Sequence, residues 1–265
     1  MRLWLCATVA ILSYSNSQGA DDLTLTWLAN AGAVLRSGSD AIVIDAFVNK
    51  PHSIYAALDE NAQKALLEGE PVIGKVKLAL VSHRHRDHFQ ADAAITFLKK
   101  HPETILVSSQ QVVDALSAEP GFEMVREQVE MIFPRPGEIR TWKRDGLSVD
   151  FINLAHGGER FKDIQNLGHI IHIGGKRVLH VGDAATKHNL YKPYVDHLKD
   201  IDLALIPYWF YQSKSGQALL SQVIHSKHEA AIHIPPQERS QIIRSFSNTH
   251  PNVILSGSQL TTLIL

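Results

Sequence analysis

The amino-acid sequence predicts a single α/β domain built from two similar halves. Its 265 residues are 45% hydrophobic and 20% charged, which suits one large globular domain better than two small ones. Each half begins with short strands and ends in alternating strands and helices, the pattern of a mixed sheet with helices packed against it. The chain contains no low-complexity tract or linker that would divide it.

Turn residues separate the elements of the first half. Gly32, Gly38 and Gly69 interrupt or end its apolar runs. Alternating or continuous apolar patterns predict strands at 23–28, 33–36, 41–45, 76–81 and 104–108. Helical spacing of Ala, Leu and Glu predicts helices at 53–67, 91–100 and 110–116. An antiparallel beginning is therefore followed by strand–helix alternation.

The second half repeats this order. Antiparallel strands are predicted at 129–133, 138–142, 147–154, 169–173 and 176–181. Alternation then resumes, with strands predicted at 203–206, 230–234 and 253–255 and helices at 217–225 and 236–247. The shared order of elements is the reason for predicting two similar halves in one domain.

Residues 1–20 have the three-part pattern of a cleaved secretory signal peptide. A positive start at Arg2 precedes an apolar core at 3–14, and small residues follow at 15–20. The core is too short to span a bilayer, although an uncleaved anchor is the alternative. We therefore expect residues 21–265 to form a periplasmic or secreted domain with no stable membrane span. Cys6, the single cysteine, would leave with the signal, so no disulfide or thiolate ligand is expected.

A cluster of histidines follows the predicted strand at 76–81. Residues 81–90 read VSHRHRDHFQ, which places His83, His85, Asp87 and His88 within six positions. Imidazole and carboxylate together are the ligand set of zinc and related divalent metals. Scattered histidines do not account for an aspartate directly followed by a histidine in the same short loop. The loop therefore predicts a metal site.

Further apolar runs also end on residues that can bind a metal. The runs at 149–155, 178–182 and 230–232 lead into His156, Asp183 and His233. In open α/β sheets, sites form at the carboxyl ends of strands, so ligands from separate strands can converge there. A lone histidine is more often a packing or surface group, but the combination with the histidine loop favours a metal site.

Residues 83–88 have the H-x-H-x-D-H form of the metallo-β-lactamase superfamily, and the sequence resembles that family over essentially all of residues 21–265. His156, Asp183 and His233 follow in the order that the superfamily uses for its remaining ligands. The resemblance implies a four-layer αβ/βα sandwich of two mixed β-sheets with helices outside. Residues 26–28, 42–45 and 202–207 most resemble the branch that contains ascorbate-phosphate lactonase and N-acyl-phosphatidylethanolamine phospholipase D.

The resemblance also implies a ligand set and a reaction. One metal would be held by His83, His85 and His156, and the second by Asp87, His88 and His233, with Asp183 bridging the two. An all His/Asp site accepts two divalent ions, with zinc preferred over manganese or iron. These ions would lower the pKa of a bridging water to roughly 7. The hydroxide would attack an ester, lactone, amide or phosphodiester, with Asp87 as the catalytic residue that orients it or accepts its proton.

His169 is the rival of His156 for the first metal. His156 ends a strand and precedes two glycines, a bend suited to a ligand loop, whereas His169 begins a strand. His156 is therefore the preferred ligand. His172 and His180 lie within predicted strands, where packing or surface roles are expected.

Three other features keep two interpretations each, and a fourth is a weaker candidate. Asp45, at a strand end, is either a partner of a ligand histidine or a turn cap. Arg84 and Arg86 either meet an anionic substrate or face solvent, with solvent preferred. The aromatic residues 208–211 either wall a substrate pocket or pack in the core. Lys187 is a weaker candidate for the site.

Three alternative functions are compatible with a metal site. A periplasmic β-lactamase would fit export, but a bridging Asp183 resembles the lactonase, thioesterase and phosphodiesterase branches instead. A non-catalytic metal-binding protein of the same fold would have lost a ligand, and none is missing. A nuclease would need a basic surface, whereas 26 Lys+Arg against 27 Asp+Glu give a net charge of -1. The expected partner is a small-molecule substrate and no nucleic acid, and the sequence does not indicate an oligomeric state.

Overall fold

The computed structural model describes residues 22–265, so the predicted signal peptide at 1–20 lies outside the described residues. The strands of this range are β1 Thr24–Trp27, β2 Ala33–Ser37, β3 Asp40–Ile44, β4 Val76–Leu80, β5 Ile105–Ser108, β6 Val129–Met131, β7 Ile139–Arg144, β8 Leu147–Asn153, β9 Leu167–Ile173, β10 Lys176–His180, β11 Ile201–Pro207, β12 Ser226–Ile232, β13 Ile254–Leu255 and β14 Thr262–Ile264.

Helices connect the later strands of each half. They are α1 Glu60–Glu68, α2 Ala91–Lys100, α3 Gln110–Ser117, α4 His188–Tyr191, α5 Trp209–Gln212, α6 Lys214–Gln222 and α7 Arg239–Thr249. Short 3₁₀ helices lie at Phe122–Met124, Arg126–Gln128, Glu159–Phe161 and Lys192–Tyr194. Within the part of the chain that the structure describes, no helix combines the length and apolar character needed to cross a membrane.

The strands form two mixed sheets of seven strands each. The first sheet has the order β14-β1-β2-β3-β4-β5-β6, and the second has the order β13-β12-β11-β10-β9-β8-β7. In the first sheet β1 to β3 are antiparallel and β3 to β6 are parallel. In the second sheet β7 to β10 are antiparallel and β10 to β13 are parallel. Each half therefore repeats one antiparallel-to-parallel order, as the sequence predicts. The prediction was wrong for the strand at 129–133, which was expected to be antiparallel in the second half, because β6 pairs in parallel with β5 at the edge of the first sheet.

Three apolar layers hold the sheets and helices together. Along β3, Ile42 and Ile44 lie in the cluster between the two sheets, whereas Val43 lies in the cluster that includes Ala65 of α1. This alternation is the period of two expected for a strand buried on both faces. A third cluster joins the second sheet to its helices through residues such as Leu219 of α6. Three apolar layers separate four structural layers, so the predicted αβ/βα sandwich is confirmed.

The helix predicted at 53–67 begins later than the sequence pattern indicates. The Asp59 side chain accepts a hydrogen bond from the backbone N–H of Ala62 at 2.8 Å and caps α1, which starts at Glu60. The preceding residues form a loop in which His52 and Tyr55 exchange backbone hydrogen bonds. The prediction was wrong for the first part of the segment because its Ala and Leu content hid this loop, which reaches the candidate site.

The carboxyl ends of several strands meet at one rim of the sandwich. β3 and β4 run parallel, and so do β10, β11 and β12. β8 runs in the direction of β10 because two antiparallel pairings separate them. The residues that follow these strands, Asp45, His83, His156, Asp183 and His233, are therefore presented at the same rim.

Candidate metal centre

Seven side chains from four loops meet at this rim in two groups. The first group contains His83, His85, His156 and Asp183, and the second contains Asp87, His88 and His233. Within each group, the atoms that can bind a metal lie within 4.8 Å of one another. These are the seven residues that the sequence and its resemblance indicate, and the structure brings all of them together.

The nitrogens of the first group have the spacing of metal ligands. His85 Nδ1 lies 3.1 Å from His83 Nε2 and 3.2 Å from His156 Nε2. Zn–N bonds of roughly 2.1 Å in a tetrahedral site place neighbouring nitrogens roughly 3.4 Å apart. Asp183 Oδ2 lies 3.6 Å from His156 Nε2 and 3.9 Å from His83 Nε2. The group therefore fits around a single ion.

For three of the histidines, hydrogen bonds to the outer ring nitrogen determine which nitrogen is free. His156 Nδ1 lies 2.6 Å from the carbonyl oxygen of Gly157, which can only accept, so Nδ1 is the donor. His88 Nδ1 donates in the same way to the carboxylate of Asp45 at 2.8 Å. In the neutral rings, each Nε2 therefore carries a lone pair directed into the site.

Asp45 also orients a second candidate ligand, His83, through Ser82. The fully buried Asp45 carboxylate accepts hydrogen bonds from the Ser82 backbone N–H at 2.7 Å and from Ser82 Oγ at 2.5 Å. Because Ser82 Oγ gives its only proton to Asp45, it accepts from His83 Nδ1 at 2.9 Å. His83 Nε2 is therefore also free. Asp45 is therefore a hydrogen-bond partner of His88 directly and of His83 through Ser82, both of which are candidate ligands.

The second group shares Asp183 with the first. His88 Nε2 and His233 Nε2 lie 2.9 Å apart, and Asp87 Oδ2 lies 3.3 Å from His233 Nε2. Asp183 Oδ1 lies 3.3 Å from His88 Nε2, and Asp183 Oδ2 lies 3.3 Å from His233 Nε2. Asp183 Oδ1 is buried without a hydrogen-bond partner in the described residues. One carboxylate thus faces both groups and retains an oxygen that requires an electropositive partner.

The electrostatics of the site favour neutral rings at His83 and His85, ionised carboxylates, and positive charge beside those carboxylates. Burial lowers the pKa of His83 well below its ordinary value and lowers that of His85 to about 4. Burial opposes the charge of Asp183, yet His233 and His88 outweigh it and hold the pKa of this carboxyl well below its usual range. Burial also opposes charge on His88, but Asp183 outweighs it and raises the pKa of that ring. The array attracts positive charge, which a divalent cation would supply.

Gly182 and Asn166 join the loops that carry His156 and Asp183. The Asn166 side chain donates to the carbonyls of Leu154 at 2.9 Å and Val181 at 3.0 Å, and it accepts from the Asp183 N–H at 3.0 Å. Gly182 has a φ of 57°, and a Cβ there would lie 2.3 Å from Asn166 Oδ1. The sequence shows the glycine next to Asp183 but gives no signal for Asn166.

Asn30 is a second supporting residue that sequence reasoning missed. Its side-chain amide donates to the Asp87 carbonyl at 3.0 Å and to Asp87 Oδ2 at 3.1 Å. Its own carbonyl accepts from the His233 N–H at 3.3 Å. Asn30 and His233 both have positive φ values, of 49° and 64°. The sequence signal at Asn30 is that of an ordinary turn residue, since asparagine tolerates this conformation.

The remaining candidates lie outside the two groups. His169 is buried in β9 and stacks on His180 at 5.8 Å between ring centroids, and neither of its ring nitrogens has a hydrogen-bond partner among the described residues. Arg84 and Arg86 are exposed. Trp209 is the member of the aromatic patch 208–211 that lines the cavity above the site. The two residues that follow it are buried in the core.

The sequence was compared with known protein families and with individual proteins. A sequence profile described as the beta-lactamase superfamily domain matches residues 41–250. The chain belongs to the beta-lactamase superfamily. A UPF0173 metal-dependent hydrolase from Thermus thermophilus is 27% identical over 181 residues, which cover 68% of this chain and 69% of that protein.

Solved structures share the same fold. A possible metal-dependent hydrolase from Veillonella parvula has a TM-score of 0.64 at 14% identity, and the alignment covers 92% of this chain and 100% of that chain. The metallo hydrolase Igni18 from Ignicoccus hospitalis has a TM-score of 0.59 at 16% identity, with coverage of 92% and 98%. The enzyme class that the sequence predicts, a metal-dependent hydrolase, agrees with the names of these superfamily relatives.

Proposed function

We propose that this protein is a dinuclear metal-dependent hydrolase in which Asp183 bridges two divalent ions. The observation that carries the proposal is the arrangement of imidazole nitrogens and carboxylate oxygens around two points, with one carboxylate between them. Bringing these donors so close costs free energy unless a cation separates them. The donor set of five histidines and two aspartates suits zinc first, and manganese or iron as alternatives.

The chemistry requires an ionised carboxylate beside the nucleophile. Divalent ions bound in the two groups would lower the pKa of water to roughly 7 and polarise the oxygen of the scissile group. Burial opposes the charge of Asp87, but a hydrogen bond with His233 outweighs it and lowers the pKa of this carboxyl to about 2. Asn30 fixes its orientation. Asp87 therefore remains a carboxylate that can orient water or accept its proton.

The substrate is proposed to be a small molecule. The two groups open into a cavity of about 570 Å³, within the range of roughly 300–1,000 Å³ that is typical of small-molecule sites. Its lining includes the donors His85, Asp87, His156, Asp183 and His233. An ester, lactone, amide or phosphodiester of a small molecule is the proposed substrate class. Resemblance to the lactonase and phospholipase D branch supports this range of bonds.

Export of the mature enzyme is a second part of the proposal. The charged start, apolar core and small residues of 1–20 support cleavage near residue 20 and a periplasmic or secreted domain at 21–265. Expression of the full-length chain in a bacterial host, followed by N-terminal sequencing of the protein from periplasmic and cytoplasmic fractions, tests this part. An intact N-terminus on protein retained in the cytoplasm would contradict it.

Metal analysis and a substrate panel test the hydrolase. The purified chain, reconstituted with zinc and desalted, should contain two equivalents of metal and hydrolyse at least one lactone, ester, amide or phosphodiester. At most one equivalent would contradict the dinuclear site. Two equivalents without turnover of any panel member would favour a non-catalytic metal-binding protein. Turnover of the β-lactam nitrocefin in preference to the other substrates would favour the β-lactamase alternative.

Replacement of Asp183 tests the bridge. Asp183→Asn keeps the shape of the side chain but removes the charge that offsets the repulsion between two cations. We expect the variant to remain folded, lose hydrolysis and bind at least one metal more weakly. Asp145→Asn, at an exposed turn far from the site, is the matched control. Two tightly bound metals with unchanged activity in Asp183→Asn would contradict the bridging role.

A further inference from the structure

The cavity above the donor groups carries two cations in its wall. Arg160, in the 3₁₀ helix Glu159–Phe161, and Lys187, in the loop after β10, both line it and are exposed. Within residues 22–265, no ion pair or side-chain hydrogen bond engages either group. Both charges are therefore available to a molecule that enters the cavity.

Carboxylates in the cavity do not cancel these charges. Among the described residues that line it, the carboxylates are Asp87 and Asp183, and both point into the donor groups. Metal ions held there would take up their charge. The whole chain has 26 Lys+Arg and 27 Asp+Glu, so the positive wall is a local feature and not a consequence of overall charge. A partly enclosed positive wall attracts anionic ligands.

Aromatic packing holds Arg160 beside the first donor group. Its guanidinium carbon lies 4.4 Å from the centroid of the Phe161 ring. That ring in turn lies 4.8 Å from the His85 ring and 5.0 Å from the His156 ring. A guanidinium stacked on an aromatic face keeps its N–H donors in the plane and available for a carboxylate or phosphate. The Phe161 ring therefore contacts both the Arg160 guanidinium and two histidines of the first donor group.

The wall beside the second group has a different character. Tyr55 lies 4.3 Å and Trp209 lies 5.0 Å from His233 between ring centroids, and both line the cavity. Aromatic faces bind uncharged, apolar portions of a ligand. The cavity is thus polarised, with the Arg160 guanidinium toward the first group and the aromatic rings of Tyr55 and Trp209 toward the second.

We propose that Arg160 and Lys187 form an anion subsite and that the substrate is a small amphipathic anion. Its carboxylate or phosphate group lies on the side of the first donor group, and its apolar portion lies against Tyr55 and Trp209. This inference rests on the proposed hydrolase function. For an ester, one water is consumed, the acyl C–O bond breaks, the acyl carbon gains the hydroxyl, and the leaving oxygen gains a proton.

Matched ester probes test the subsite. The metal-loaded protein is assayed with mono-4-nitrophenyl succinate, with its uncharged counterpart 4-nitrophenyl valerate, and with a probe that carries a phosphonate in place of the succinyl carboxylate. The wild-type protein should prefer one or both anionic probes, and the better of these identifies the anion. Arg160→Gln and Lys187→Gln should each lower the anionic-to-neutral ratio of kcat/KM about fivefold, and the double variant should lower it more than tenfold.

Lys162→Gln is the matched control, because Lys162 is an exposed cation two residues from Arg160 that does not line the cavity. Its ratio should equal that of the wild-type protein. An unchanged ratio in the double variant would overturn the subsite, and so would a wild-type protein without anionic preference.

Binding measurements distinguish failure of the anion-subsite proposal from failure of the hydrolase proposal. Titration calorimetry with the anilide analogues of the succinyl and valeryl probes measures recognition without ester turnover. Tighter binding of the succinyl anilide that is lost in the double variant would support the subsite even if no ester is cleaved, and the hydrolase proposal would then fail alone. Equal affinity of both proteins for the two anilides would refute the subsite.

Discussion

Gly182→Ala is the substitution for which the structure gives the sharpest expectation. Gly182 precedes Asp183 and has a φ of 57°, a conformation that residues with a Cβ adopt at a cost. An added Cβ would lie 2.3 Å from Asn166 Oδ1 and 2.8 Å from Ser82 Cβ. Neither neighbour is free to move, because Asn166 ties two ligand loops and Ser82 holds Asp45 and His83.

The loss of stability expected for Gly182→Ala has two contributions. A left-handed alanine costs roughly 1–2 kcal/mol. Displacement of Asn166 breaks at least one buried hydrogen bond, which costs roughly 1–3 kcal/mol. The free energy of unfolding should therefore fall by roughly 2–5 kcal/mol, a large part of the roughly 5–15 kcal/mol that is typical of a domain. Because the displaced groups position Asp183 and His83, metal affinity should fall as well.

Urea denaturation measures the loss of stability, and elemental analysis measures the loss of metal. Gly175→Ala is the control that has the unfavourable backbone conformation without the steric clash. Gly175 lies in the turn before β10 with a φ of 72°, and an added Cβ would meet nothing within 4 Å. The control should lose only the roughly 1–2 kcal/mol of the backbone conformation and keep its metals. If Gly182→Ala were no less stable than Gly175→Ala and retained two metals, the proposed contact with Asn166 would be refuted.

Two further predictions concern histidines. His156→Ala should remove metal from the first group, whereas His169→Ala should retain it, and elemental analysis that gave the reverse would exchange their roles. Burial lowers the pKa of His169 to about 3, below its ordinary value of 6.5. As pH falls from 6.5 toward 3, the unfolded chain takes up this proton first, so stability is lost across that window. His169→Leu should therefore lose less stability than the wild-type protein between pH 7.5 and pH 5 in urea titrations, and an equal loss would contradict the reasoning.

The sequence predicts the donors better than the residues that hold them. Metal ligands have distinctive chemistry and follow apolar runs, so the histidine loop, Asp183 and His233 stand out in a single sequence. Asn30 and Asn166 act through side-chain hydrogen bonds between segments that are distant in sequence. A pattern read along the chain cannot show such contacts. The supporting residues become visible only when the strand ends are brought to one rim.

The same limit explains the late start of α1. Periodicity reports which residues would share a helical face, and the segment from residue 53 has that spacing. The cap at Asp59 and the backbone hydrogen bonds between His52 and Tyr55 decide otherwise. The loop that delivers Tyr55 to the cavity shares that spacing, but its backbone hydrogen bonds and the contact of Tyr55 with His233 accompany a non-helical conformation. Here the local sequence pattern and the structure disagree at a segment that lies beside the proposed active site.

The site also concentrates features that oppose folding, which links metal binding to stability. Asn30, Asp45 and His233 have positive φ values, and this conformation, which asparagine and aspartate tolerate, costs roughly 1–2 kcal/mol at His233. Facing imidazole nitrogens such as the 2.9 Å pair of His88 and His233 add repulsion wherever no cation lies between them. The apolar layers of the sandwich must offset these costs in the absence of metal. A cation that binds only the folded arrangement removes the repulsion and stabilises the fold by its own binding free energy, so stability should depend on metal concentration.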